Sequence, residues 1–435
     1  MLKILSGSLL SRHVDLTFGE RAVRLSKGVA SILMLFLLAV GTFAIACKIQ
    51  PASADTVDWW PMFHHDANHS GASTSTGPNT NHILWEYSAN IGLSSPAVFD
   101  SLVYVGSDDS NVYCLNANTG AEVWAYPTGG TVYSSPAVVG GFVYVGSLDD
   151  NVYCLNAANG SLVWLYTTGG QVVDSSPAVV GGLVYVGSSD NSVYCVNATS
   201  GALVWRYVGG GEVDSSPAVV GGFVYVGSYN DEKVYCLNAA TGSLVWSYTT
   251  RGPVDSSPAV SGGFVYVGSD DEKVYCLNAA TGSLVWSYST TSYVGSSPAV
   301  AGGMVYVGSE DNDVYCLNAA SGSLVWRYAT HGAVTSSPAV AGGLVYVGSS
   351  DADVYCLSAT TGKLVWSYKT GDAVYSSPAV VNGVLYVGST DGKIYALGVL
   401  TATPEFSMYL FLPLFMMATL LAAFVFRRKR NVKTQ

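Results

Sequence analysis

Charge is what this sequence has least of. Only 11 % of its 435 residues are charged, and 19 Lys and Arg stand against 30 Asp and Glu. A formal net charge of −11 leaves no basic groove for nucleic acid, whose binding rests on neutralising phosphates. The balance suits cations or basic partners instead. No phosphate-loop, zinc-protease or Ser-His-Asp motif occurs. His64, His65, Asp66 and His69 are metal-ligand types, but they share one short stretch with no paired spacing from elsewhere, and His331 stands alone. No metal site is assigned to them.

What is abundant is glycine, 48 residues, with Val, Tyr, Ser and Trp dominating the middle of the chain. That mixture favours strands and tight turns over helices. Two apolar runs stand apart. Val29 to Cys47 follows Arg12, Arg21, Arg24 and Lys27 and precedes Ala52-Ser53-Ala54, the order of a secretory signal cleaved near Ala54, although its length also admits a retained signal anchor. Ser407 to Phe426 is uncharged and long enough to span a bilayer, and Arg427-Arg428-Lys429-Arg430 holds its end in the cytoplasm. Everything between the two runs is then expected outside the cell.

That middle is one unit written eight times. Ser-Ser-Pro begins at Ser94, Ser134, Ser175, Ser215, Ser256, Ser296, Ser336 and Ser376, and Trp-x-Tyr at Trp85, Trp124, Trp164, Trp205, Trp246, Trp286, Trp326 and Trp366. In the unit from Val213, four strands are expected: Asp214 to Val219, Phe223 to Ser228, Lys233 to Asn238 and Leu244 to Tyr248, with Gly221-Gly222 as a hairpin turn. Four strands in about 40 residues describe a propeller blade, and one blade cannot bury both its faces, so blades must stack in a ring. The first piece present is a lone fourth strand, Ile83 to Tyr87, and the last unit stops after three. The N-terminal strand therefore completes the last blade. The fold class is all-β: an eight-bladed β-propeller of four-stranded antiparallel blades, with hydrophobic helices at both ends. The domains are a signal segment (1–54), a leader (55–81), the propeller (82–398), a linker (399–406), a transmembrane helix (407–426) and a basic tail (427–435).

Three repeated features invite chemistry. Cys114, Cys154, Cys195, Cys236, Cys276, Cys316 and Cys356 occupy one position of the third strand, with Ala396 in the eighth blade. Equivalent positions in neighbouring blades lie beyond the ~7 Å a disulfide needs, so these are small apolar core residues. The second-to-third turns carry Asp, as in Asp149, Asp231 and Asp391, a residue tight turns favour. More telling is what differs between repeats. The first-to-second and third-to-fourth turns hardly vary, whereas the other two do, and those two share one face. The residue before Ser-Ser-Pro varies as well. It is Asp174, Asp214 and Asp255 in three adjacent blades, and Tyr133 and Tyr375 occur nearby. The first strand lines the channel, so these five residues are expected at its mouth, the carboxylates facing a cation or an ammonium group and the tyrosines stacking on a ring or sugar. Asn68, Asn159 and Asn197 head glycosylation sequons.

The segment Cys236-Leu237-Asn238-Ala239-Ala240-Thr241-Gly242-Ser243-Leu244-Val245-Trp246 resembles the tryptophan-docking repeat of quinoprotein-like propellers. In that family the indole packs on the neighbouring blade, a role the resemblance gives to all eight repeat tryptophans. Trp60-Pro61-Met62-Phe63-His64-His65-Asp66 looks like the segment that often precedes such propellers. The family's dehydrogenases use a vicinal Cys-Cys disulfide and a calcium-ligating carboxylate set. This chain has no Cys-Cys pair, and the resemblance is nearer to the non-catalytic branch, which includes a bacterial outer-membrane assembly lipoprotein. Pro404-Glu405-Phe406, an apolar span and a basic cluster together resemble the archaeal C-terminal sorting signal, which implies a cell-surface protein and a lipid attached after cleavage. The expected function is a membrane-anchored binding or scaffolding module for a protein, glycan or small ligand, not an enzyme. The alternatives are a PQQ- or metal-dependent oxidoreductase and a purely structural envelope component. PQQ is not expected, a divalent cation at the acidic mouth is admitted, and nucleic acid is excluded.

Overall fold

The computed structural model describes residues 13–18, 21–26 and 57–399. His13–Phe18 and Arg21–Ser26 pair as an antiparallel hairpin. It lies inside the segment read as a signal and was not foreseen there. The hydrophobic helices expected at Val29 to Cys47 and at 407–426, the tripeptide Pro404-Glu405-Phe406 and the basic tail lie outside the described residues.

Residues 57–399 form the eight-bladed propeller. Seven blades take their four antiparallel strands from consecutive sequence, at 97–127, 137–167, 178–208, 218–249, 259–289, 299–329 and 339–369; they are numbered one to seven in that order. In blade four the strands are Ala218–Val220, Phe223–Ser228, Lys233–Asn238 and Leu244–Thr249. Gly221 and Gly222 turn with φ of +60° and +82°, the left-handed pair that a two-residue hairpin requires. The first strand is shorter than the sequence suggests. It begins after the Ser-Ser-Pro, because Pro217 has no N–H for the ladder and the serines make other bonds. Blade eight is assembled from both ends of the ring. Ala379–Val381, Val384–Ser389 and Gly392–Gly398 are joined by His82–Ile91, which pairs antiparallel with Gly392–Gly398 from Gly398↔His82 to Gly392↔Ile91. The closing strand thus runs four residues past Tyr87.

The core lies between blades. Second and third strands are buried on both faces, so alternate residues serve different neighbours. Tyr225, Val234, Cys236 and Trp246 of blade four pack with Val265, Val267, Tyr275 and Leu277 of blade five. Val224, Val226, Tyr235 and Leu237, on the other face, pack with blade three. The seven cysteines are buried and unpaired, as their apolar position implies. Burial pushes each thiol up to about 12.

Each interface is pinned by one carbonyl. The indole N–H of Trp246 and the hydroxyl of Tyr225 both donate to the Ala279 carbonyl of the next blade, at 2.9 and 3.2 Å. The same pair recurs from Trp85 and Tyr386 onto Ala117 through to Trp326 and Tyr306 onto Ala359. A glycine in the left-handed region lies under each of these indoles. At Gly242 (φ +70°) an added Cβ would sit 2.5 Å from the Trp205 ring. The seventh interface differs, because the chain leaves blade eight where that alanine would be. There the leader supplies the acceptor: Trp366 and Tyr346 donate to the Pro78 carbonyl at 3.1 and 2.9 Å.

Candidate functional site

The inner end of every blade is organised by its two serines. The first accepts a hydrogen bond from the second strand, as Gly268 N–H does to Ser256 Oγ at 2.9 Å, and in five blades donates to the carbonyl of the next blade's first serine. The second serine takes part in a closed ring. Ser95 N–H donates to Ser135 Oγ, Ser135 to Ser176, Ser176 to Ser216, and so on through Ser257, Ser297 and Ser337 to Ser377, whose N–H returns to Ser95 Oγ, all at 2.9–3.0 Å. Eight identical bonds explain why the motif is invariant.

Above this ring opens a cavity of about 610 Å³, within the ~300–1,000 Å³ range of small-molecule sites. Its wall is the variable residue before each Ser-Ser-Pro, and Asp174, Asp214, Asp255, Tyr133 and Tyr375 all line it. The structure adds residues that were not expected at the mouth. Glu212 comes from the connection entering blade four, Tyr229 and Glu310 come from second-to-third turns, and Phe63 comes from the leader. Both variable turns thus converge on the cup. Ring order gives it two unlike halves: carboxylates on blades three to six, and Tyr375, Leu93 and Tyr133 on blades eight, one and two.

No Lys, Arg or His is among the residues lining the cup. Burial, with Asp270, Asp214, Asp174 and Glu310 close by, raises Asp255 to about 7. Burial together with Asp174 and Glu212 raises Asp214 to about 6, and Asp270 behind the wall stands at about 6 for the same reason, with Glu310 and Asp271 adding to burial. Burial raises Asp174 too. Asp174 and Asp255 are exposed, whereas Asp214 Oδ1 is cut off from solvent and has no hydrogen-bond donor among the described residues. The carboxylates are spread around the arc: among the described residues no group of three or more His, Cys, Asp or Glu is placed to hold a metal ion.

The channel does not run through. The leader makes one circuit inside the ring, on the far side of the serines. The amides of Val98, Val138, Val219, Val260, Val300 and Val340 donate to the carbonyls of Trp60, Pro61, Ala67, Asn68, Ser70 and Gly71, and Gly383 donates to Thr76, all at 2.6–2.9 Å. Ala72–Ser73 adds a short parallel strand to blade seven. Phe63 rises from this hoop as the floor of the cup. The leader histidines serve the hoop. Burial lowers His64 to about 3 and His69 to about 4, so both are neutral, with His69 Nδ1 on the Pro258 carbonyl at 3.1 Å. His65 is clasped between Asp58 and Asp66. Burial alone would raise Asp66, but hydrogen bonds from His65 and Ser70 hold it at about 2.

The other singled-out residues lie elsewhere. The repeated turn aspartate is engaged by its own blade: its carboxylate accepts the hydroxyl of the tyrosine four residues on, at 2.5–2.8 Å for Asp109, Asp149, Asp190, Asp311, Asp351 and Asp391, and also for Asp231 and Asp271. Asn159 is exposed in a third-to-fourth turn. Asn197 caps the equivalent turn, its carboxamide oxygen accepting from Thr199 and Ser200, and Asn68 is part of the hoop.

The sequence matches two family profiles in part. One, described as outer membrane protein assembly factor BamB, matches residues 72–230 and 148–254; the other, the β-propeller of a β-alanine-activating enzyme, matches 213–426. No curated protein matches the sequence. Among solved structures, BamB from Moraxella catarrhalis is similar at 19 % identity and a TM-score of 0.64, covering 74 % of this chain and 99 % of that one. A quinohemoprotein alcohol dehydrogenase from Pseudomonas putida HK5 is similar at 16 % identity and 0.69, covering 78 % and 80 %. A europium-containing methanol dehydrogenase is similar at 15 % identity and 0.67, covering 79 % and 98 %. At these identities the likeness establishes the fold and nothing finer. An anionic ligand that brings no cation of its own is disfavoured in this cup. A polycarboxylate would meet Asp174, Glu212, Asp214, Asp255 and Glu310 with no cationic side chain among the lining residues.

Proposed function

We propose that this PQQ-like, BamB-type β-propeller is a non-catalytic binding or scaffolding module, displayed on the cell surface and working through the mouth of its central cup. The observation that carries the reading is the division of labour within each repeat. The invariant serines, tryptophan, tyrosines and turn aspartate hold the ring together, while the residues that differ between blades converge on one cavity. Surface display rests on the apolar span 407–426, the basic cluster after it and Pro404-Glu405-Phe406 before it. The hydrophobic anchor, or a lipid in its place, would hold the propeller at the membrane, with a protein or glycan as the partner.

A photoactivatable residue placed at Tyr229 or Thr335, on the cup wall, is compared in intact cells with one at Gly222, in the hairpin turn at the other end of a first strand. Discrete adducts from the cup positions and none from Gly222 are the expected result. Adducts from Gly222 alone, or none from either face, would remove the support for the cup as the working surface.

A further inference from the structure

We propose that the cup takes a polyhydroxylated primary amine, an amino sugar or a short chain of them. The inference deepens the binding reading above and rests on it. It stands on two independent features of the same cavity, the second-serine ring and the acidic arc.

The second serines are 2–7 % exposed, and all eight line the cavity. Each hydroxyl accepts one backbone N–H from the preceding blade, and among the described residues none donates to a protein acceptor. A serine hydroxyl carries one donor as well as two acceptor sites. The first serines show what a fully used hydroxyl does here, since six of them both accept and donate within the scaffold. The second serines keep eight donors for which the cavity offers the acceptor, water or ligand. A ligand rich in hydroxyl oxygens supplies those acceptors.

The arc above the ring asks for positive charge. Asp174, Glu212, Asp214, Asp255 and Glu310 line one half of the cup, with no Lys, Arg or His among the lining residues. Their spread argues against a single bound metal ion. It suits ammonium groups, each of which donates up to three hydrogen bonds. The opposite half, Tyr375, Leu93 and Tyr133, with Phe63 below, offers apolar and aromatic surface to the carbon face of a sugar ring. A simple polyamine would answer the carboxylates and leave the serine donors unmet. A neutral sugar would do the reverse.

Isothermal titration calorimetry on the purified full-length chain separates these cases. The probes are a β-1,4-linked glucosamine tetramer, its fully N-acetylated form, the corresponding glucose tetramer, spermidine and calcium chloride. The glucosamine tetramer is expected to bind and the other four to bind at least about tenfold more weakly, the scale of one charge-assisted hydrogen bond. Asp214→Asn and Asp255→Asn, isosteric and with far-UV circular dichroism unchanged, are each expected to weaken the tetramer by about tenfold. Equal binding of the acetylated or glucose tetramer would refute the ammonium requirement. Equal binding of spermidine would refute the role of the serine donors, and indifference to both Asp variants would move the site out of the cup. If nothing binds, the cup holds water alone and this ligand class is wrong. Cup-specific crosslinks in cells would then still support the binding reading, so the two failures are distinguishable.

Discussion

Gly242 and Gly222 belong to the same blade, both hold a left-handed backbone (φ +70° and +82°), and they differ in what surrounds them. An alanine Cβ at Gly222 meets nothing within 4 Å, whereas at Gly242 it lands 2.5 Å from the Trp205 ring. The backbone penalty, about 1–2 kcal/mol for a left-handed non-glycine residue, is common to both. So is the ~0.4–1 kcal/mol returned through the unfolded chain. Gly222→Ala should therefore cost about 0–1.6 kcal/mol. Gly242→Ala adds overpacking, about 1–3 kcal/mol, because Trp205 cannot retreat: its indole N–H is held at 2.9 Å on the Ala239 carbonyl, three residues before the glycine. Equilibrium urea unfolding, with m-values checked for equality, reads both losses. A further pair tests the cause: in a Trp205→Ala background the excess cost of Gly242→Ala should vanish while that of Gly222→Ala persists. Equal losses for the two glycines in the parent chain would refute the claim that the Trp205 ring leaves no room for a side chain at Gly242.

Three other outcomes are expected. Asp214 and Asp255 have folded pKa values of about 6 and 7, against 3.8 for the ordinary group, so their ionised forms cost stability that is absent near pH 4 and complete above pH 7. The double Asn variant should melt about 1–3 °C above the parent at pH 8.5 and close to it at pH 4.5; the same gain at both would show that titration is not the cause. The amides of Val98, Val138, Val219, Val260, Val300 and Val340 lie on the inner edges of their blades but donate to the leader. They should resist hydrogen exchange as core amides do, and exchange within seconds would contradict the hoop. The seven repeat cysteines should ignore a thiol-specific disulfide reagent until the protein is unfolded, since burial pushes each thiol to about 12. Labelling in the native state would disprove their burial.

The blades were legible because their information is repeated. Phe223–Ser228 and Lys233–Asn238 lie where alternation and turn residues put them. The five channel residues could be placed together because equivalent positions in a ring must share a radius. The hoop was not legible, because its bonds use backbone carbonyls that any sequence supplies, and the leader occurs once, with no second copy to compare. The histidines drew notice as ligand types, although their task is to fill the centre of the ring. The serine pair offered an overlooked signal: a polar residue repeated eight times at a channel-lining position has to bond to something. The aspartate-to-tyrosine clasp was hidden for a geometric reason. Four residues along a strand cover about 13 Å, so Asp231 and Tyr235 meet only because the turn curls back.

Closure of the last blade by His82–Ile91 also fixes a schedule. Gly392 and Ile91 pair across about 300 residues, a loop whose closure costs roughly 5 kcal/mol in the logarithmic term alone. A chain made from its N-terminus presents the leader and that strand first, yet their partners in blade eight are made last. Until then a ten-residue strand with Ile83, Trp85 and Ile91 has an unpaired edge, the kind that adheres to other chains. The contact that gives the finished ring no seam is therefore the one that leaves the growing chain exposed for longest.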